Sequence, residues 1–297
     1  MMQENPTGSG GRRDEQSTAK TDSVGGGNAA RIEALFGDLR ERGRVGVMTH
    51  IVFGYPTVEV SRRLVDVMVR AGVDLIEIQL PFSDPIADGP VITRACQKAL
   101  DGGVRVEEGI TFLEEMTRTH EIPFLLMSYY NLVFNYHSGP DAPRGVASFA
   151  RAAARAGAAG LIVPDVPPDE VQEGYPGACR EFGLHPIYVV SPNIGPRRLQ
   201  AVKSVASGFV YCTSRTGTTG RDVELQLEKL DRVLDQVREV TGLPLALGFS
   251  ISARAEIKAL EGKADMAVVG SHLIRVFDEL GLAGLERELW GLTGKTD

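Results

Sequence analysis

One unit recurs along this chain and leaves few folds open to it. A helical segment ends in a small pair such as Ala-Gly, and a short apolar run follows: RAGVDLIEI, RAGAAGLIVPD, REFGLHPIYVV, KSVASGFVYC, TGLPLALGF and EGKADMAVVG. MTRTHEIPFLLMSYY adds another, and RVGVMTHIVFGYP opens the series. Eight strands are therefore expected, near residues 45–53, 74–80, 123–128, 159–164, 186–190, 208–212, 244–248 and 265–269. Apolar strands separated by helices imply right-handed crossovers and a parallel sheet covered by helices. Eight such units in roughly 270 residues favour a closed (β/α)8 TIM barrel, an α/β fold, over an open doubly wound sheet.

Ahead of the first strand, AARIEALFGDLRERG sets Ile32, Leu35, Phe36 and Leu39 on one helical face and ends at Gly43. This predicts an extra N-terminal helix. After the first strand, TVEVSRRLVDVMVRAG reads as an amphipathic helix that buries Val60, Leu64, Val67 and Met68, with Gly72 as its cap. Residues 1–28 hold Gly, Ser, Thr and charge with almost nothing to bury, so a disordered tail is expected there, followed by a single barrel domain over 29–297.

Composition narrows the function classes. A formal charge of -7 argues against a general nucleic-acid binder. No apolar run reaches the ~18 residues of a membrane span, and the N-terminus lacks the apolar core of a signal peptide. Cys96, Cys179 and Cys212 are far apart and form no CxxC pair, which fits a reducing, cytoplasmic setting without a thiolate metal site.

Polar and glycine-rich pieces gather at the carboxyl ends of the expected strands, where a barrel carries its active site: PFSDPIADGP, SYYNLVFN, PDVPPDE, SPNIGP, TSRTGTTG, GFSIS and VGSHL. In the strand DLIEIQL, Glu77 interrupts Leu75, Ile76, Ile78 and Leu80. A carboxylate in a buried strand is either structurally paired or chemically employed, and an apolar setting raises its pKa toward the range of a general acid. Eleven residues later Asp88 follows in a loop of Asp, Gly and Pro. Alone it reads as a turn former, but beside Glu77 and Asp84 it reads as the second member of an acid–base pair.

Gly217, Gly220, Gly248, Gly270 and Ser271 form a second constellation. Thr219-Gly220 and Gly270-Ser271 each precede a helix, so backbone N–H groups could cradle a phosphate at the last strands of the barrel, although tight turns explain the same glycines. Nucleotide fingerprints of the GxGxxG or GxxxxGK[ST] type are absent. Tyr129, Asn131 and Tyr211 are expected at the same mouth, with rim packing the competing reading for Tyr129. His50 and His272 fall at functional strand ends, but no HxH or HExxH spacing accompanies them, and no metal site is expected.

The motifs PFSDPIADGP, MSYYNLVFN, VPDVPPDE, GFVYCTSRTGTTG, GFSIS and VVGSHL stand in the order found in the tryptophan synthase alpha subunit family, which the chain resembles over about residues 30–285. The resemblance implies a (β/α)8 barrel that cleaves indole-3-glycerol phosphate to indole and glyceraldehyde 3-phosphate without a cofactor. It also implies docking on a pyridoxal-phosphate beta subunit that receives the indole through a tunnel. By motif, Glu77, Asp88 and Tyr211 take catalytic positions, and Thr219 helps the sixth loop close over Asp88. Gly220, Ser250, Gly270 and Ser271 take phosphate-binding positions.

Four residues depart from the family pattern. Gln79 stands where glycine is usual, Ser250 replaces the second glycine of GFG, and His272 follows the Gly-Ser of strand eight in place of a small residue. His50 takes an apolar place beside the indole. All four add bulk or polarity to the expected pocket, as substrate-binding (His50, Gln79) or phosphate-binding (Ser250, His272) side chains. Two further readings therefore stand beside the lyase: a specialised homologue acting on a modified indole or another aryl polyol phosphate, and a non-catalytic partner of a beta subunit.

Overall fold

A computed structural model of the chain describes residues 26–139, 141–170, 172, 174–213, 223–248 and 251–295. The expected tail lies outside the described residues except at its end, where the first helix already begins at Gly26. Eight strands are present: β1 (Gly46–Val52), β2 (Leu75–Gln79), β3 (Phe124–Met127), β4 (Gly160–Ile162), β5 (His185–Val190), β6 (Val210–Thr213), β7 (Leu245–Gly248) and β8 (Met266–Val269). Each pairs in parallel with the next, and β8 closes on β1. The helices are α1 (Gly26–Glu41), α2 (Val58–Arg70), α3 (Pro90–Asp101), α4 (Val106–Thr119), α5 (Tyr130–Asn135), α6 (Val146–Arg155), α7 (Tyr175–Glu181), α8 (Pro196–Val205), α9 (Val223–Thr241), α10 (Arg254–Lys258) and α11 (Ser271–Thr293). This is the (β/α)8 barrel with an added N-terminal helix that the repeating unit predicts.

Alternation along each strand sorts its side chains between two cores. Ile76 and Ile78 of β2 face outward and join Leu64, Val65 and Met68 of α2 beneath the helical ring. Leu75 faces inward and meets Met48, Leu125, Ile187, Phe209, Ala246 and Met266 inside the barrel. Inward positions of neighbouring strands stand in register, with Met48 opposite Leu75 and His50 opposite Glu77. Such layers make the barrel a filled core below its mouth.

The amino-terminal end of the barrel is closed by α1. Ile32, Phe36 and Leu39 are buried against the interior cluster, and Phe36 meets Phe209 at 5.4 Å between ring centroids. Burying each such side chain contributes ~2 kcal/mol. Gly46, at the start of β1, allows this approach, because a Cβ there would lie 2.7 Å from Leu39 Cδ1. On α2, Thr57 caps the first turn by accepting a hydrogen bond from the Val60 amide at 3.2 Å. Leu64, Val67 and Met68 are buried as expected, while Val60 is half-buried and Val65 joins them in the core. The three cysteines are unpaired and buried. Among the described residues no helix is long and apolar enough to cross a membrane.

Candidate active site

The carboxyl ends of the strands surround a cavity of about 430 Å³. Met127, Ile162, Val189, Ile251 and Val268 give it apolar walls, while Glu77, Asp88, Tyr211 and His50 bring polar groups to it. The volume is that of an ordinary small-molecule site.

Glu77 reaches the cavity because it shares the inward face of β2 with Leu75 and stands two residues nearer the carboxyl end of the strand. It is 4% exposed. His50, its register partner on β1, is 5% exposed and stands with Nδ1 at 3.4 Å from Glu77 Oε2. Thr49 faces the other way and donates to Met68 Sδ of α2, so the alternation of β1 requires His50 to point inward. The far ring nitrogen, Nε2, is buried without a hydrogen-bond partner. Burial alone would lower the His50 pKa, but the Glu77 carboxylate, assisted by Asp88 and the Gln79 carboxamide, outweighs it and holds the imidazolium above its ordinary value.

Asp88 hangs over the cavity from the loop between β2 and α3. Two donors converge on its Oδ2: Gln79 Nε2 at 2.7 Å and Tyr129 Oη at 2.8 Å. The Tyr129 hydroxyl also accepts the Ala87 amide at 3.1 Å, and its ring stacks on Phe82 with centroids 5.2 Å apart. One tyrosine thus pins the loop at three points. Burial raises the Asp88 pKa above the usual carboxylate value, against the opposing effects of His50, Gln79 and Tyr129. Tyr211, on β6, has its phenol pushed far up, first by burial and then by the Glu77 and Asp88 carboxylates, so it remains a proton-bearing donor. Room for its hydroxyl comes from Gly248, where a Cβ would lie 2.9 Å from the phenol oxygen.

At the other end of the cavity are Gly270, Ser271 and His272, where β8 hands over to α11. First-turn amides of a helix lack partners within it, and the helix dipole adds partial positive charge. His272 lines this end, yet its Nε2 lies 2.6 Å from Glu288 Oε1 in the second segment of α11, past the kink at Gly281, so a carboxylate already claims that nitrogen. Arg275 lines the same end, and the sequence reading did not single it out. The available signal was spacing: it follows Ser271 by four residues and so shares its helical face.

The structure therefore brings Glu77, Asp88, Tyr211, His50, Gly270, Ser271 and His272 to one cavity. Three residues expected at the substrate are not among those that line the cavity. Gln79 is fully buried beside the cavity, with its amide on Asp88 and 3.6 Å from Cys96 Sγ. Tyr129 is likewise fully buried behind the loop it pins. Asn131 sits in the first turn of α5, exposed and away from the lining. Asp84 is exposed and accepts a hydrogen bond from Ser83, its neighbour. Gly217, Thr219, Gly220 and Ser250 lie outside the described residues.

Similarity to known proteins agrees with this geometry. The family model described as Tryptophan synthase alpha chain matches residues 36–289. The tryptophan synthase alpha chain of Desulfotalea psychrophila is 45% identical over 250 residues, which are 84% of this chain and 94% of that one. That of Desulforapulum autotrophicum is 44% identical over 261 residues, 88% of this chain and 99% of its own. Among solved structures, tryptophan synthase from Mycobacterium tuberculosis in space group F222 superposes with a TM-score of 0.79 at 34% identity, covering 89% of this chain and 97% of that one. An aminoacrylate-bound form of the same organism's enzyme gives 0.78 at 33% identity, with 88% and 97% covered. The chain belongs to the tryptophan synthase alpha chain family.

Proposed function

We infer that this chain cleaves indole-3-glycerol phosphate to indole and glyceraldehyde 3-phosphate as the alpha-type subunit of a tryptophan synthase. The observation that carries this reading is the pair of carboxylates, Glu77 and Asp88, on one apolar-walled cavity at the carboxyl end of the barrel.

The carbon bond to C3 of an indole breaks readily once C3 is protonated, because the ring then accepts the bonding electrons. Glu77 supplies that proton and takes back the proton of the C3′ hydroxyl as the aldehyde forms. Positive charge develops on the ring nitrogen, and Asp88 accepts its N–H. Both side-chain donors on Asp88 engage Oδ2, so Oδ1 is the oxygen offered to the ring. Tyr211 contributes a neutral hydroxyl beside the reacting atoms. The apolar walls hold the indole and exclude water, which strengthens each of these electrostatic effects. The phosphate sits at the start of α11 against Gly270 and Ser271, with Arg275 as counter-charge. Thr219, Gly220 and Ser250 keep the closing and phosphate-binding roles that family resemblance gives them. The reaction draws on no cofactor of this chain, and the pyridoxal-phosphate beta subunit is the partner that consumes the indole.

The test is indole release from indole-3-glycerol phosphate by the purified chain, alone and with a beta subunit. Turnover that rises on mixing and is lost in Glu77→Gln is the expected result. Full turnover in Glu77→Gln would overturn the assignment of the acid.

A further inference from the structure

His50 and Glu77 are Cα partners in the β1–β2 ladder and both face inward, so the fold forces a buried imidazole and a buried carboxylate together. Two polar groups so placed are costly unless they share charge or a proton. Their separation, 3.4 Å from Nδ1 to Oε2, is that of an ion pair. The other ring nitrogen is orphaned in a residue that lines the cavity.

We propose that His50 is a positioning residue for the acid, so that the His50–Glu77 pair, rather than Glu77 alone, holds the proton delivered to C3 of the indole ring. The proposal rests on the lyase reading above. The pair carries one proton in its working state, as carboxylic acid with neutral imidazole or as carboxylate with imidazolium, and the net charge is the same in both. Delivery forms the C3–H bond and leaves carboxylate with neutral imidazole. The C3–C3′ bond then breaks, its electrons return to the indole ring, and the hydroxyl proton passes to Glu77 as the carbonyl forms. The pair again holds one proton.

The surroundings favour this arrangement. Asp88 faces the imidazole from the loop after β2 and adds negative charge. Tyr211 on β6 remains a neutral phenol. His272 and Arg275 line the opposite, phosphate end, where His272 Nε2 lies 2.6 Å from Glu288 Oε1. On the outer side α2 presents Leu64 and Met68, and Tyr55 behind them donates its hydroxyl to Asp278. At β8, Gly270 offers His50 no side chain. The raised imidazolium pKa fits a ring paired with the Glu77 carboxylate, with the charge of Asp88 adding to it.

An isolated carboxyl ordinarily loses its proton near pH 4.3 and an imidazolium near pH 6.5. The pair consequently stays loaded to higher pH than an isolated carboxyl does. In His50→Phe, the alkaline limb of the kcat profile should move down by about one pH unit, and in His50→Gln, which restores polarity but cannot carry the proton, by a similar amount. A shift of less than about half a unit in both variants overturns the pair. A second measurement needs no substrate. The chain has five histidines; in the ¹⁵N-histidine-labelled protein, the resonance lost in His50→Gln identifies the ring, and its titration midpoint should fall in Glu77→Gln. An unchanged midpoint overturns the pair whatever the turnover. A fallen midpoint in a protein that leaves indole-3-glycerol phosphate uncleaved upholds the pair and overturns the lyase reading instead.

Discussion

Replacing Tyr129 by Phe removes one oxygen and tests how Asp88 is held. The hydroxyl donates to the carboxylate at 2.8 Å and accepts the Ala87 amide at 3.1 Å. A hydrogen bond to a charged group contributes ~1.5–3 kcal/mol and a neutral one ~0.5–1.5 kcal/mol. Gln79 still donates to the same Oδ2, so the carboxylate is not orphaned, and a net loss of about 2 kcal/mol is expected. For a chain of this size that lowers Tm by roughly 3 °C. Catalysis should suffer separately. The ring still stacks on Phe82, but the loop carrying Asp88 is no longer pinned by its amide, and kcat/KM should fall about 10–100-fold. The hydroxyl also opposes the rise in the Asp88 pKa, so its loss moves the acid limb of the profile to higher pH. Indole release followed from pH 5 to 9, with thermal melts of both proteins, reads all three quantities. A Tyr129→Phe protein with kcat/KM within twofold of the parent and an unmoved acid limb would refute the claim that this tyrosine holds the carboxylate.

Asp88→Asn should lose at least about 100-fold in kcat while melting no lower than the parent at pH 7. An acid whose folded pKa is raised contributes stability below its ordinary pKa and loses it as pH rises through the folded value, so the ionised group is a burden at neutrality. Melts repeated toward pH 4 should show the advantage of the asparagine shrinking. Arg275→Ala should raise KM about tenfold with kcat nearly unchanged, and inorganic phosphate should become a correspondingly weaker inhibitor. Gly248→Ala presses a methyl group against the Tyr211 hydroxyl at 2.9 Å and should cost ~1–3 kcal/mol in denaturant titrations. Adding Tyr211→Phe should recover part of that loss, and failure to recover any would place the strain elsewhere.

The barrel could be read from the chain because each unit repeats the same physical demand, an apolar strand after a capped helix, and errors at the ends of individual strands do not change the count. The expected ranges exceed the observed strands by two or three residues at β1 and β4, where flanking residues still bond to neighbouring strands, Phe53 N–H to the Gln79 carbonyl and Ala159 N–H to the Phe124 carbonyl. The face of α1 was readable from Ile32, Phe36 and Leu39, but not its destination, since helical spacing identifies an apolar stripe and not what covers it. At the site, strand alternation sufficed for Glu77 and Tyr211. It failed for Tyr129 and Asn131, which lie past the end of β3, where the period of two gives way to a helical turn at Tyr130. Arg275 carries only its four-residue spacing from Ser271, a signal that arginines on solvated helical faces share.

Gln79 shows the same limit with more consequence. Its spacing from Glu77 puts both on one side of β2, and on sequence alone its bulk should have crowded the indole. The side-chain torsions, which spacing does not determine, carry the amide over to Asp88 and Cys96 and leave the cavity at about 430 Å³ with its apolar walls intact. His50 is likewise matched to Glu77, and His272 to Glu288. Each described departure from the family pattern thus supplies a carboxylate with a partner, while His50 Nε2 and Gln79 Oε1 stay buried without one. The consequence reverses the expectation drawn from bulk. Gln79→Gly, which restores the usual family residue, removes a donor from Asp88 and opens a void beside it, so it should lower kcat/KM on indole-3-glycerol phosphate by about tenfold. A gain in that variant would mean that Gln79 obstructs the pocket after all, and that partnership with Asp88 is incidental to its presence.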